Sequence, residues 1–151
     1  MKWITRERPK IDRIACPWLI RKFIDLKAEF VFVPKDQVLA VAKDIGATPF
    51  DIPDVELTHR GEFCSFDTFI EKYQLKDPAL ERMALIIRGA DTDRNDLAPE
   101  CSGLLAITLG LAACFQDDHQ LIEQGFKIYD ALYRWSQSLT DEKHGWYPEK
   151  M

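Results

Sequence analysis

The sequence predicts an α+β fold, a small N-terminal α/β layer packed against a C-terminal helical bundle. Three observations carry that expectation. Short β-forming runs alternate with helical runs over residues 1–46, prolines and turn acids crowd residues 48–57, and from Ser65 onward apolar residues recur at helical spacing. The 151 residues are read as one domain spanning 1–151, long enough to bury a sizeable core. With 46% hydrophobic and 30% charged residues, disorder is not the default away from the ends.

The elements follow in order. "WIT" and "AEFVFVP" read as strands, the second stopped by Pro34. Between them "PWLIRKFI" reads as a helix with Pro17 at its first position, where the missing N–H costs nothing. "KDQVLAVAKDIG" sets Val38, Val41, Ala42 and Ile45 on one face and stops at Gly46, which tolerates a left-handed backbone. One or two further strands fit "TPFDIPDVELTH". Ser65 is the expected cap of "FDTFIEKY"; Asp77 followed by Pro78 starts "PALERMALIIR", which Gly89 would close. Pro99 opens a helix that is apolar all round and so is expected to be central and buried, with Gly103 and Gly110 admitting close neighbours. A last helix starts near Asp117 or Asp118 and turns Leu121, Ile122, Gly125, Phe126, Tyr129, Leu132 and Tyr133 inward. The polar tail "TDEKHGWYPEKM" is expected to be partly disordered.

Composition excludes several classes. The longest apolar run, residues 101–115, is shorter than the roughly 20 residues that span a bilayer, and the N-terminus has no signal-peptide core. A cytoplasmic protein without a membrane partner is therefore expected. A net charge of −5 argues against direct nucleic-acid binding. Cys16, Cys64, Cys101 and Cys114 form no zinc-ribbon spacing, and Cys101 and Cys114 read as small core residues. No phosphate-binding glycine loop, H-E-x-x-H or G-x-S-x-G occurs.

Four stretches could hold chemistry. In "DRIACPWLIRKF", a helix starting at Pro17 would put Cys16 at its N-cap, where free N–H groups and the helix dipole lower a thiol pKa. The same positive end could hold an oxyanion, with Arg13 or Arg21 as forked donors. Upstream, Lys2, Arg6, Arg8 and Lys10 suggest a local basic rim on an acidic protein. In "THRGEFCSFDTF", His59, Cys64 and Asp67 fall around a turn at Gly61 and could converge on a divalent metal, with iron, manganese and zinc all fitting such mixed ligands. In "IIRGADTDRND", Asp91 is placed beside His59, and Arg88 joins the candidate oxyanion donors; the stretch is no EF-hand, lacking its glycine and distal glutamate. Asp130, among the aromatic residues of "YDALYRW", is expected to make a structural hydrogen bond to Tyr or Arg.

Four segments in order, "RERPKIDRIACPWLIRKFID", "PFDIPDVELTHRGEFCSFDTFI", "LIIRGADT" and "YDALYRW", make the chain resemble the chromate-resistance domain that forms the C-terminal part of ChrB-type proteins. The resemblance runs from Trp3 to about Trp146. It implies a part in bacterial chromate resistance, and His59, Cys64, Asp67 and Asp91 fall within the family's characteristic segments. ChrB-type proteins usually carry a further N-terminal domain, and some relatives a rhodanese-like one, so a stand-alone domain without a DNA-regulatory role is expected here. The leading expectation is an accessory protein that binds a transition metal or a chromate-like oxyanion in a His/Cys/Asp/Arg pocket. The alternatives are a thiol- or metal-dependent redox enzyme working through Cys16 or Cys64, and a regulatory module acting through a partner. The last would need an exposed apolar patch or a homo-oligomer interface.

Overall fold

Three short parallel strands open the fold in the computed structural model, which describes residues 1–148. β1 (Lys2–Arg6) lies between β2 (Glu29–Val33) and β3 (Thr48–Pro49), with Trp3 opposite Phe30 and Thr48, and Ile4 opposite Val31 and Pro49. Parallel neighbours need crossovers, and helices supply both. The first is α1 (Asp12–Leu19), extended by a wider π-helical turn over Ile20–Ile24; the second is α2 (Val38–Ile45), closed by left-handed Gly46 at φ 69°. The period-two alternation of β1 then divides its side chains. Trp3 enters the main core with Phe30, α1 and the later helices, whereas Ile4 joins Val38, Ala42 and Ile52 in a small second core under α2. Two isolated bridges, Phe50 to Leu57 and Arg60 to Phe63, follow β3 before α3 begins.

The helical part comprises α3 (Ser65–Lys72), α4 (Pro78–Asp91), α5 (Cys101–Cys114) and α6 (Asp118–Ser138), which makes the whole α+β. Asp77 caps α4 through the Ala79 N–H at 2.8 Å, and Asp117 caps α6 through His119 and Gln120. α6 lies against α1 so closely that a Cβ on Gly125 would fall 2.5 Å from Ile14 Cγ2.

Several expectations are corrected. α1 begins at Asp12 rather than Pro17, so the proline lies inside the helix and Cys16 is no N-cap. Tertiary anchors override the local proline preference: the Ile11 N–H donates to Thr108 Oγ1 at 3.2 Å, and the Tyr129 hydroxyl donates to the Ile11 carbonyl at 3.1 Å. Cys64, not Ser65, is the N-cap of α3, and α4 runs through Gly89 to Asp91. Gly89 serves packing instead, because a Cβ there would lie 2.3 Å from Cys101 Sγ and 2.6 Å from the Arg94 carbonyl oxygen. α5 is not the central helix. Only Cys101, Leu104 and Thr108 are buried in it, Ile107 and Leu109 are about half exposed, Cys114 is exposed, and nothing approaches Gly103 or Gly110. The central helix is α1, all eight of whose residues are buried. Asp12 and Arg13 disguise it in the sequence. No helix among the described residues is long and apolar enough to cross a membrane. The tail as far as 148 is turn-rich, and residues 149–151 lie outside the described residues.

Candidate metal centre

The start of α1, the loop after β3, the turn before α3 and the end of α4 meet at one point. Asp12, the first residue of α1, is fully buried. Its Oδ2 accepts the Ser65 N–H at 2.7 Å, its Oδ1 accepts the Phe66 N–H at 3.1 Å, and the Cys16 thiol reaches Oδ1 at 3.5 Å. Both amides open α3, so the carboxylate sits on the positive end of that helix. Asp51 stands in left-handed backbone, φ 53°, and its Oδ1 accepts the Ser65 hydroxyl at 2.7 Å. Ser65 thereby ties two carboxylates with one residue.

His59 completes the group. Its Nε2 lies 3.1 Å from Asp91 Oδ2, 3.2 Å from Asp51 Oδ1 and 3.4 Å from Asp12 Oδ2. One ring nitrogen carries one hydrogen, so three oxygens compete for it. Ligands about 2.1 Å from a metal stand about 3.0 Å apart in an octahedron and about 3.4 Å apart in a tetrahedron, so these spacings fit a coordination sphere as well as they fit ion pairs. The candidate ligand atoms of Asp12, His59 and Asp91 all lie within 4.8 Å of one another.

The electrostatics match. Hydrogen bonds to Asp12, then Asp51 and Asp91, raise the His59 pKa to about 12 against the opposing effect of burial. Burial raises that of Asp12 to about 7, opposed by its hydrogen bond to His59 and reinforced by the charges of Asp51 and Asp91. Three acids surround one imidazole, and the Arg13 guanidinium, 3.5 Å from Asp51, is a second cation at the cluster.

The predicted ligand set is half assembled. His59 and Asp91 meet; Cys64 and Asp67 fall outside the cluster. Asp67 Oδ2 accepts the Cys64 N–H at 3.0 Å, contacts Cys64 Sγ at 3.3 Å and faces Arg88 Nε at 3.3 Å, so this carboxylate is engaged in capping and an ion pair. Cys64 and Cys16 are both buried, and burial first, then the Asp12 charge, pushes both thiols up. The low-pKa thiolate expected at Cys16 is therefore corrected: the thiol lies inside a helix beside a carboxylate. Asp12 and Asp51 are the residues that sequence reasoning missed.

Of the candidate oxyanion donors, Arg13 alone reaches the site. Its guanidinium donates to the Arg6 and Glu7 carbonyls at 3.0 and 2.8 Å, and its Nε is 3.5 Å from Asp51. Arg21 instead donates to the Ala28 carbonyl and stacks on Phe30 and Phe126; Arg88 stacks on Phe63. The basic rim is realised by Arg6, Lys10, Arg13 and Lys35, which border a cavity of about 760 Å³ floored by Asp51, His59 and Asp91. Arg8 leaves the rim to bind the carbonyls at the end of α5. Asp130 accepts from Trp18 Nε1 and Lys22 rather than from Tyr or Arg.

Fold and site together define an α+β domain with a helix-anchored His–Asp cluster beneath a basic rim. Residues 3–136 match the family described as ChrB, C-terminal domain, and the chain belongs to that family. It is similar to Protein ChrB of Cupriavidus metallidurans, 32% identical over 133 residues that make up 87% of this chain and 40% of that relative. The chain thus spans about two fifths of the length of the curated relative it matches. No solved structure matches it.

Proposed function

We propose that the chain holds a divalent transition metal through Asp12, His59 and Asp91, with Asp51 beside them, and binds a chromate-like oxyanion between that ion and the rim. One observation carries the reading: three carboxylate oxygens converge within 3.1–3.4 Å of a single imidazole nitrogen. A lone ion pair needs one of them; a metal ion held by Asp12, His59 and Asp91 would use two, with the third, from Asp51, beside it. One imidazole among carboxylates suits manganese, iron or zinc. Such an ion supplies a Lewis-acidic seat for an anionic oxygen. Meanwhile Ser65 and the start of α3 hold the carboxylates in place, and the rim arginines and lysines draw the anion in.

The test is elemental analysis of protein purified without chelator, followed by Mn²⁺ and Zn²⁺ calorimetry on the native chain and on His59→Ala. Binding near one equivalent, lost in the variant, is expected; an unchanged titration in the variant, or no metal in either measurement, overturns the proposal. Chromate and sulfate titrations of the loaded protein then test the anion.

A second reading, a module acting through a partner, is favoured by the exposed apolar side chains Ile107 and Leu109 of α5. Its signature would be self-association abolished by Ile107→Ser. A native chain that sediments as a monomer, indistinguishable from the variant, would speak against self-association.

A further inference from the structure

The cavity is much larger than a tetraoxoanion needs. It holds about 760 Å³, whereas a central atom with four oxygens takes the space of two or three waters at roughly 30 Å³ each. Cavities of about 300–1,000 Å³ are the size that organic ligands fill. The lining is also mixed. Alongside the charged residues, Leu105 and Leu109 of α5 and Ile52 and Pro53 of the loop after β3 supply apolar wall. An inorganic anion would leave that wall in water.

The charged side points the same way. Arg6, Lys10 and Lys35 form no ion pair among the described residues, although acids stand nearby. Arg6 lies close enough to Arg13 to add to the lowering that burial imposes on the Arg13 pKa. Like charges gathered at one edge of a cavity provide a seat for an anionic group. The four basic side chains face Asp51, Asp54, Asp91 and Asp93 in the lining, with Asp12 beneath. A divalent ion seated among those acids would add two positive charges to the side on which an anionic group would lie.

We infer that the pocket takes an organic anion, whose carboxylate- or phosphate-type head sits between the metal and the rim and whose apolar body lies on Leu105, Leu109, Ile52 and Pro53. The inference rests on the metal reading for the seat of the head group, and it adds a body that chromate and sulfate lack.

Calorimetry of the Mn²⁺-loaded full chain with sulfate, methylphosphonate and phenylphosphonate tests it. Phenylphosphonate should bind at least about tenfold more tightly than the other two. Leu109→Ser, at a half-exposed position, should shrink the phenyl-over-methyl preference to about threefold or less. Lys10→Gln should weaken both phosphonates. Equal affinity for methyl and phenyl, or a preference that survives Leu109→Ser, overturns the inference while Mn²⁺ binding leaves the metal centre standing. If Mn²⁺ does not bind, the metal centre falls, and failure of phenylphosphonate to bind the same protein overturns the organic anion as well. Equal phenylphosphonate affinity with and without Mn²⁺ overturns the shared seat.

Discussion

Thr108→Val should loosen the site without touching any residue in it. Ile11 immediately precedes Asp12 and holds a backbone of φ 42°, ψ −97°, strained for a β-branched residue and costing about 1–3 kcal/mol. Two helices keep it there: the Thr108 hydroxyl of α5 accepts its N–H, and the Tyr129 hydroxyl of α6 donates to its carbonyl. That carbonyl also accepts from Ile14 and Ala15 and remains satisfied without Tyr129, whereas the N–H has only Thr108 among the described residues. Valine keeps the shape and removes the acceptor, leaving a buried N–H unpaired at a cost of about 1–3 kcal/mol. For a chain of this length that lowers Tm by about 3–10 °C. Freed from its clamp, Ile11 relaxes and carries Asp12 with it, which should weaken Mn²⁺ binding by about 10- to 100-fold, the usual effect of losing an outer-sphere partner. Thr108→Ser retains the oxygen and should keep metal affinity within about threefold. Urea melts and calorimetry read both effects. A Thr108→Val protein within about 0.5 kcal/mol of the native stability and with native metal affinity would refute the reasoning.

In the metal-free protein, Tm should fall as pH rises from 6 to 9. Native His59 keeps its proton up to about pH 12, whereas the unfolded chain releases it near its ordinary value of 6.5, so this contribution is full below 6.5 and is lost progressively as pH rises from there toward 12. Asp12, raised from 3.8 to about 7, contributes fully below 3.8 and nothing above about 7, the same sign. Saturating Mn²⁺ should flatten the slope, and a Tm that climbs with pH would contradict both assignments. Gly89→Ala should cost at least about 1–3 kcal/mol in urea denaturation, because the new Cβ meets the Arg94 backbone oxygen, which cannot move independently. Gly110→Ala, with nothing nearby in the interior of α5, should instead gain about 0.5–1 kcal/mol; equal effects at the two glycines would be the wrong outcome.

The strands, the α2 stop at Gly46, the α4 start at Asp77–Pro78 and the start of α6 near Asp117 or Asp118 were legible because each depends on a few adjacent residues. So was the placement of Asp91 beside His59, since the end of an apolar helix has few places to go. What stayed hidden needed tertiary partners. Asp12 looks like an ordinary surface acid next to an arginine, and nothing local says that two amides of α3, more than 50 positions away, will bury it. Cys64 and Asp67 looked like ligands because three metal-capable side chains crowd one turn, yet their spacing suits the capping of α3 better. The all-apolar pattern of α5 gives no direction for its packing, so in sequence a helix beside the cavity looks like the centre.

Asp91 is where function and stability separate most cleanly. It is the last residue of α4, where the helix dipole disfavours an acid by about 0.3–1 kcal/mol. It is also one of three carboxylates around a single imidazole, and protonated His59 would keep Asp12 and Asp51 as partners without it. Were Asp91 there to hold the fold, Asp91→Asn would cost stability. On the present reading the metal-free variant should be unchanged or up to about 1 kcal/mol more stable, since one excess charge and one unfavourable dipole contact disappear. The loss should appear only with metal: Mn²⁺ at a hundred times its native dissociation constant stabilises a binding-competent chain by about 2.7 kcal/mol, and the variant should forgo most of that. Thermal melts of both proteins with and without Mn²⁺ give the four numbers required. A variant that is destabilised without metal, yet still gains the full increment with it, would assign Asp91 to the scaffold and remove it from the coordination sphere.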